Sequence, residues 1–314
     1  MTDIDCMDDI TVLMSAYNGE KFIREQLDSI RNQDNVRVRL LVRDDGSSDT
    51  TGRILTEYMA EFPDFQMALV RGDNMGYVKS FTELVKIALV RYPNCSYFAF
   101  SDHDDVWMRD KLQTATITLN KLNARTENIP IMYCSNTRLV DADLTPVGLF
   151  RNNPPEISES KCLIQNIVTG CTAVFNRKAA CLFAERQIPD IAVHDQFLYI
   201  ICTLLGKTVY DHEPHILYRL HGDNQVGKPN VFKKLKQSAA KLTKDTHSLE
   251  KRAKDILSAF DDLLSEKDRE IVSVLANYRN SLGARFKLMF DSRFRYTSLL
   301  SNVIFKIKII TGRV

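Results

Sequence analysis

The chain has 314 residues, 44% of them hydrophobic, with only 12 glycines and 9 prolines, so it holds enough apolar material for one large core and is neither a disordered tract nor a repeat array. Its formal net charge of +2 hides a division, because residues 228–314 carry 19 Lys+Arg against 9 Asp+Glu and the remainder carries 23 against 31. An acidic body suits cations and polar ligands, whereas a basic end suits an anionic surface.

The opening Met1-Thr2-Asp3-Ile4-Asp5 lacks a basic and apolar leader pattern, and no stretch reaches the ~18 apolar residues that a membrane span needs. The body is therefore expected on the cytoplasmic side. Thr11-Val12-Leu13-Met14 predicts a first strand, and the helix after it, capped near Asn18, sets Phe22, Ile23, Gln26, Leu27 and Ile30 on one face. Val38 to Val42, Gln66 to Val70 and Tyr97 to Phe100 predict three more strands, separated by helical runs. That alternation is the pattern of βαβ units and a mostly parallel sheet, an α/β fold.

Each of these strands runs into polar residues: Tyr17-Asn18-Gly19, Asp44-Asp45-Gly46-Ser47, Asp73-Asn74-Met75-Gly76 and Asp102 to Asp105. Ligands of open α/β sheets bind beyond the carboxyl ends of the strands, so four clusters should meet at one edge. After Trp107 the expected elements are a helix from Lys111 to Leu122, a strand from Ile131 to Cys134 and a turn-rich stretch around Pro146 and Pro154-Pro155. A strand from Thr172 to Phe175, a helix from Asp195 to Leu205 and a late strand from His215 to Arg219 complete the body. From about Phe232 the chain reads helical, with amphipathic runs at 256–264 and 271–282, which divides it into a body of residues 1–227 and a basic helical region of residues 228–314. The seven cysteines have no C-x-x-C spacing and sit mostly in apolar runs, so they read as reduced, buried thiols and not as a zinc site.

The run Asp102-His103-Asp104-Asp105 follows a wholly apolar strand and precedes the only tryptophan, Trp107. Alternate residues of an extended segment share a face, which pairs Asp102 with Asp104, and a hard divalent cation would relieve the repulsion between them. A solvated turn is the bland alternative. The full segment Ser101-Asp102-His103-Asp104-Asp105-Val106-Trp107 is most similar to the S-D-Q-D-D-V-W segment of bacterial rhamnosyltransferases, and the chain resembles family 2 glycosyltransferases over roughly residues 10–227.

The resemblance implies a GT-A fold, a Rossmann-like mixed sheet flanked by helices, here with a C-terminal helical extension. It implies Mg2+ or Mn2+ at Asp104 with Asp102, the latter also near the donor ribose, and it leaves donor choice open at His103, where glutamine is more usual. Asp44-Asp45-Gly46-Ser47-Ser48-Asp49 resembles the D-D-G-S-x-D segment, which puts Asp44 and Asp45 at the nucleotide. Ala16-Tyr17-Asn18 matches the opening loop, and Asn74-Met75-Gly76 matches an N-x-G turn where backbone approaches the donor. His194-Asp195 falls where the family places its base, which makes Asp195 the candidate to deprotonate an acceptor hydroxyl, with helix capping as the alternative. Arg219 is the candidate phosphate partner and His221 a candidate metal ligand or, equally, a structural residue.

The implied activity is inverting transfer of a sugar, L-rhamnose from dTDP-rhamnose, onto a saccharide or lipid-linked saccharide of a surface polysaccharide. A UDP-sugar hexosyltransferase of the same fold and a non-catalytic nucleotide-sugar module are the competitors. In the tail, Arg285, Lys287, Lys306 and Lys308 interleave with Phe286, Leu288, Phe305 and Ile307. That pattern fits either an interfacial helix on the inner membrane face or a helix packed on the body with a solvated basic side. No module for nucleic acid accompanies the charge.

Overall fold

The computed structural model describes residues 8–126, 128–186, 188, 193–220 and 248–313. Four strands, β1 (Asp9–Ala16), β2 (Arg37–Asp44), β3 (Met67–Arg71) and β4 (Tyr97–Ser101), form the parallel half of one sheet in the order β3-β2-β1-β4. They alternate with α1 (Ile23–Arg31), α2 (Thr51–Glu61) and α3 (Tyr77–Arg91). Burial on both faces is why these strands read as near-continuous apolar runs.

The first four strands are parallel as their alternation with helices predicts, and the second half of the sheet is mixed, as the GT-A resemblance implies. The short strand β5 (Val106–Trp107) precedes α4 (Lys111–Asn123), β6 (Ile131–Val140) and β7 (Pro146–Leu149). Then come α5 (Glu159–Ile164), a 3-10 turn (Gly170–Thr172), β8 (Val174–Asn176), α6 (Arg177–Glu185), α7 (His194–Leu205) and β9 (Lys207–Arg219). β8 runs antiparallel to β4 and β6, β9 runs parallel to β6, and β5 closes the order antiparallel to β9. The strand expected at Thr172 to Phe175 is shortened because the 3-10 turn takes Thr172.

The strands separate two apolar layers. Val12, Met14, Leu40 and Val42 face α1, α2 and α4, through Leu27, Leu55 and Leu112. Leu13, Leu41, Phe98 and Phe100 face α3, α6 and α7, through Phe81, Phe183 and Phe197. Each such side chain contributes about 1.5–3 kcal/mol by leaving water. The helical end consists of α8 (Ser248–Phe260), α9 (Glu266–Ala276), α10 (Leu282–Phe290) and α11 (Leu299–Thr311). It shares the second layer, since Ile256, Ile271, Leu288 and Ile309 belong to the same cluster as Phe100. The expected division at residue 227 lies outside the described residues. Among the described residues, no helix is long and apolar enough to cross a membrane.

Candidate active site

Register brings the strand ends to one edge: Ala16 pairs with Asp44, Asp44 with Arg71, and Met14 with Ser101. The loops beyond them are laced together. Asn18 is not the cap of α1; it sits at φ 48°, its amide N–H donates to Ser47 Oγ at 3.0 Å, and its Oδ1 accepts from Ser48 N at 2.8 Å. Gly19 N donates to Thr51 Oγ1 at 2.7 Å. The Gly19 backbone lies so close to the His103 ring that a Cβ there would fall 2.4 Å from His103 Cδ2. Ala16 is buried in β1, and Tyr17 beside it is exposed.

The two carboxylates after β2 differ in how they are used. Asp44 Oδ1 accepts from Ser47 N at 3.0 Å, a side-chain-to-backbone bond three residues on that starts the loop. Asp45, buried, accepts from the amides of Met75 and Gly76 at 3.0 Å each and pairs with the buried Arg43 guanidinium. Both oxygens of Asp45 thus accept from the Met75-Gly76 backbone, so it positions that turn. Gly76, at φ 81° and ψ 151°, occupies a region that only glycine adopts readily, and a Cβ there would meet nothing within 4 Å.

The fourth loop differs from the extended segment expected of it. The strand ends at Ser101 and the chain bends at His103 and Asp104, so residues three apart come together. Ligand atoms of Asp102, Asp105 and Cys171 lie within 4.8 Å of one another. Burial, then the Asp104 and Asp195 carboxylates, push Asp102 up to about 7. Asp105 is fully buried and held well above the usual carboxylate range by burial and by Asp104 and Asp102. Its Oδ1 accepts from Arg219 N at 3.2 Å, while Oδ2 has no hydrogen-bond partner among the described residues. Lys111 is buried near the same group, with Nζ 3.5 Å from the centre of the Trp107 ring.

Hard oxygen donors with an orphaned, buried carboxylate oxygen suit Mg2+ or Mn2+. The Cys171 thiol, pushed well above its usual range by burial and then by Asp105, stays protonated and is a poor ligand.

Asp195 lies in the first turn of α7, two residues past the point where it would cap the helix, since Val193 holds that place. Its Oδ1 accepts from Gln196 N at 2.6 Å and from Asn166 Nδ2 at 3.0 Å. Burial pushes its carboxyl up to about 6. Before it, His194 is packed as an aromatic, stacked on Phe81 at 4.1 Å and edge-on to Phe100 at 4.9 Å. Burial pushes its imidazole down to about 3, so it is neutral. Gly170 leaves room for this pair, because a Cβ there would lie 2.8 Å from His194 Nε2. Tyr77, 38% exposed, meets the His194 ring at 5.8 Å, and burial followed by the charges of Asp195 and Asp102 raises its hydroxyl. One phenol therefore borders both carboxylates.

Arg219, expected at a phosphate, is only 1% exposed and turned inward. Its Nε donates to the Asp104 carbonyl at 3.0 Å, Nη2 to Glu25 Oε2 at 2.5 Å and Nη1 to the Ala142 carbonyl, with the guanidinium 4.4 Å from the Phe22 ring centre. A fork committed to three protein acceptors clamps the Asp104-Asp105 backbone instead of facing an open crevice. His221 lies outside the described residues. The expected residues Ala16, Asn18, Asp44, Asp45, Asn74, Gly76, Asp102 and Asp104 all fall at the strand-end edge. Sequence reasoning missed Tyr77, Asn166, Lys111 and Glu25. Only Tyr77 left a trace, as an aromatic directly after the N-x-G turn.

Comparison with known proteins adds the family context. The model described as Glycosyl transferase family 2 matches residues 11–183. The dTDP-rhamnosyl transferase RfbG of Shigella flexneri is 32% identical over 231 residues, which cover 70% of this chain and 75% of that protein. TarS of S. aureus, solved in complex with UDP-GlcNAc, superposes with a TM-score of 0.59 at 17% identity, covering 97% of this chain and 80% of that one. The mannosyltransferase PcManGT of Pyrobaculum calidifontis, solved with GDP-Man and Mn2+, superposes with a TM-score of 0.52 at 18% identity, covering 97% and 85%. The architecture is GT-A, with helices added at the C-terminal end.

Proposed function

Because the chain belongs to glycosyl transferase family 2, we propose that it is an inverting transferase that moves L-rhamnose from dTDP-rhamnose onto a hydroxyl of a lipid-linked or growing surface polysaccharide. The observation that carries this reading is Asp195, a buried carboxylate held by Asn166 and the Gln196 amide and pushed up to about 6, whose charge in turn raises Asp102, with Tyr77 feeling both. A base of that strength is ionised at neutral pH and still basic enough to accept a proton as a hydroxyl attacks.

In this reading the loops after β1, β2 and β3 receive the nucleotide, with Asp44 toward the base and the Asn74-Met75-Gly76 backbone against the donor. Asp195 takes the acceptor proton as the new glycosidic bond forms on the face opposite the departing nucleoside diphosphate, which inverts the anomeric centre. Asp102 and Asp104 would hold the divalent cation, and Asp105, whose Oδ2 has no hydrogen-bond partner among the described residues, would supply a further oxygen. When bound, that cation offsets the charge developing on the diphosphate. The relative with a dTDP-rhamnosyl name supports the donor assignment. A UDP-hexose donor is the second reading, left open by His103, whose ring lies against Gly19 at the donor edge where the rhamnosyltransferase-like segment has glutamine.

The test is turnover across a panel of sugar nucleotides with Mn2+ and with EDTA, for the wild type and Asp195→Asn. We expect turnover with dTDP-rhamnose that EDTA abolishes, and a loss of at least about a hundredfold in Asp195→Asn with donor binding retained. Loss of donor binding in Asp195→Asn would move that residue to the nucleotide site. Absence of turnover with every donor would leave a binding module.

A further inference from the structure

We propose that the outward face of α10 and α11 is a membrane-contact surface whose partner is an anionic lipid bilayer. The tail's two sequence readings turn out to describe opposite faces of the same helices. Leu288, Phe294, Phe305 and Ile309 are buried in the body's apolar layer. On α10, Leu282, Phe286 and Phe290 recur at every fourth residue and are 72%, 57% and 71% exposed. The rings of Phe286 and Phe290 stack at 6.1 Å with planes 9° apart. On α11, Leu299, Val303 and Ile307 repeat the four-residue spacing and are 85%, 56% and 42% exposed. Arg285 Nη1 donates to the Ile310 carbonyl at 3.4 Å, so the two stripes run on neighbouring helices. Exposed aromatic and aliphatic stripes on adjoining helices are not expected of a face that meets only water.

Charge selects the occupant. Residues 282–313 hold seven Lys+Arg and a single acid, Asp291, which Arg293 engages at 2.7 Å, and Glu270 of α9 pairs with Lys287 at 3.2 Å, so a cationic excess remains. At 100° per residue, Lys306 falls along one margin of the α11 stripe, and Arg313 follows the left-handed C-cap Gly312 just beyond the helix. A second copy of this chain would bring like charges together around the apolar contact, which is unfavourable. Nucleic acid would satisfy the cations and leave the stripes in water. An anionic bilayer satisfies both, taking the stripes to the depth of the head groups and the cations to the lipid charges. With 13 residues, α11 is about 20 Å long, too short to span, so it would lie in the interface. The surface goes beyond the transfer reaction and is independent of which sugar is moved.

The test is co-sedimentation of the full chain with vesicles of phosphatidylglycerol and phosphatidylethanolamine, against vesicles of phosphatidylcholine alone. We expect binding to the anionic vesicles that falls about tenfold on phosphatidylcholine and again at high salt. Phe286→Glu combined with Val303→Glu should lose a further factor of at least about ten, while circular dichroism and donor turnover in solution stay as in the wild type. Lys306→Ala combined with Arg313→Ala, which leaves the stripes intact, should weaken binding to anionic vesicles only. Equal binding to both compositions, or no binding by the wild type, would overturn the proposal. So would a concentration-dependent dimer that the paired Glu variant dissolves in the absence of vesicle binding, or nucleic-acid retention that it leaves unchanged.

Discussion

Asn166 donates a hydrogen bond from Nδ2 to Oδ1 of Asp195 at 3.0 Å, and this contact opposes the burial that raises the Asp195 carboxyl to about 6. Its removal by Asn166→Ala takes away a stabiliser of the ionised form, so the carboxyl should rise further. If Asp195 is the base, only its ionised form acts, and the ascending limb of the pH–rate profile should move upward by about one pH unit. At pH 8 and above the variant should approach wild-type turnover. A uniform loss at every pH would assign Asn166 a purely structural role.

Gly76 holds φ 81° and ψ 151° in open space, so Gly76→Ala costs backbone strain without a clash. The expected loss is about 1–3 kcal/mol, shared between folding and the shape of the Asn74-Met75-Gly76 turn. Thermal melting reads the first part and the KM for donor the second. A variant with unchanged melting and unchanged KM would show that the turn tolerates a Cβ and does not meet the donor.

Arg219→Met keeps length and apolar packing on Phe22 but removes the donors to Glu25, Ala142 and the Asp104 carbonyl. Glu25 and Ala142 are exposed and regain water, so the cost comes chiefly from the part-buried Asp104 carbonyl, about 1–3 kcal/mol. Denaturant midpoints measure it. If Arg219 instead bound the donor phosphates, the midpoint would barely move and the donor KM would rise steeply.

Gly19→Ala sets a Cβ against the His103 ring and should raise the donor KM about tenfold. His103→Ala in the same chain frees that space and should recover most of the loss, a coupling that a double-mutant cycle reads directly. Additive effects would mean that the two loops move independently.

Much of the fold is legible because it is written locally. The apolar run of β1 and the face Ile23, Gln26, Leu27 and Ile30 of α1 are periodicities of a few residues, and the polar clusters after β1 to β4 lie where any strand of that sheet must end. The candidate site at that edge was legible for the same reason. The mixed half was less so: the order β8-β6-β9-β5 joins segments far apart in sequence, and no local period encodes which strand lies beside which.

What the sequence alone determined is the set of groups available at the strand ends, together with the family they resemble. What only the tertiary structure decided is how those groups are spent. Arg219 reaches across 194 positions to Glu25 and clamps a turn, His194 becomes an aromatic between Phe81 and Phe100, and Asp102 meets Asp105 and Cys171 because the chain bends where alternation would have kept it straight. Side-chain chemistry is a property of one residue, whereas its protonation, orientation and partners depend on burial and neighbours that folding alone brings together.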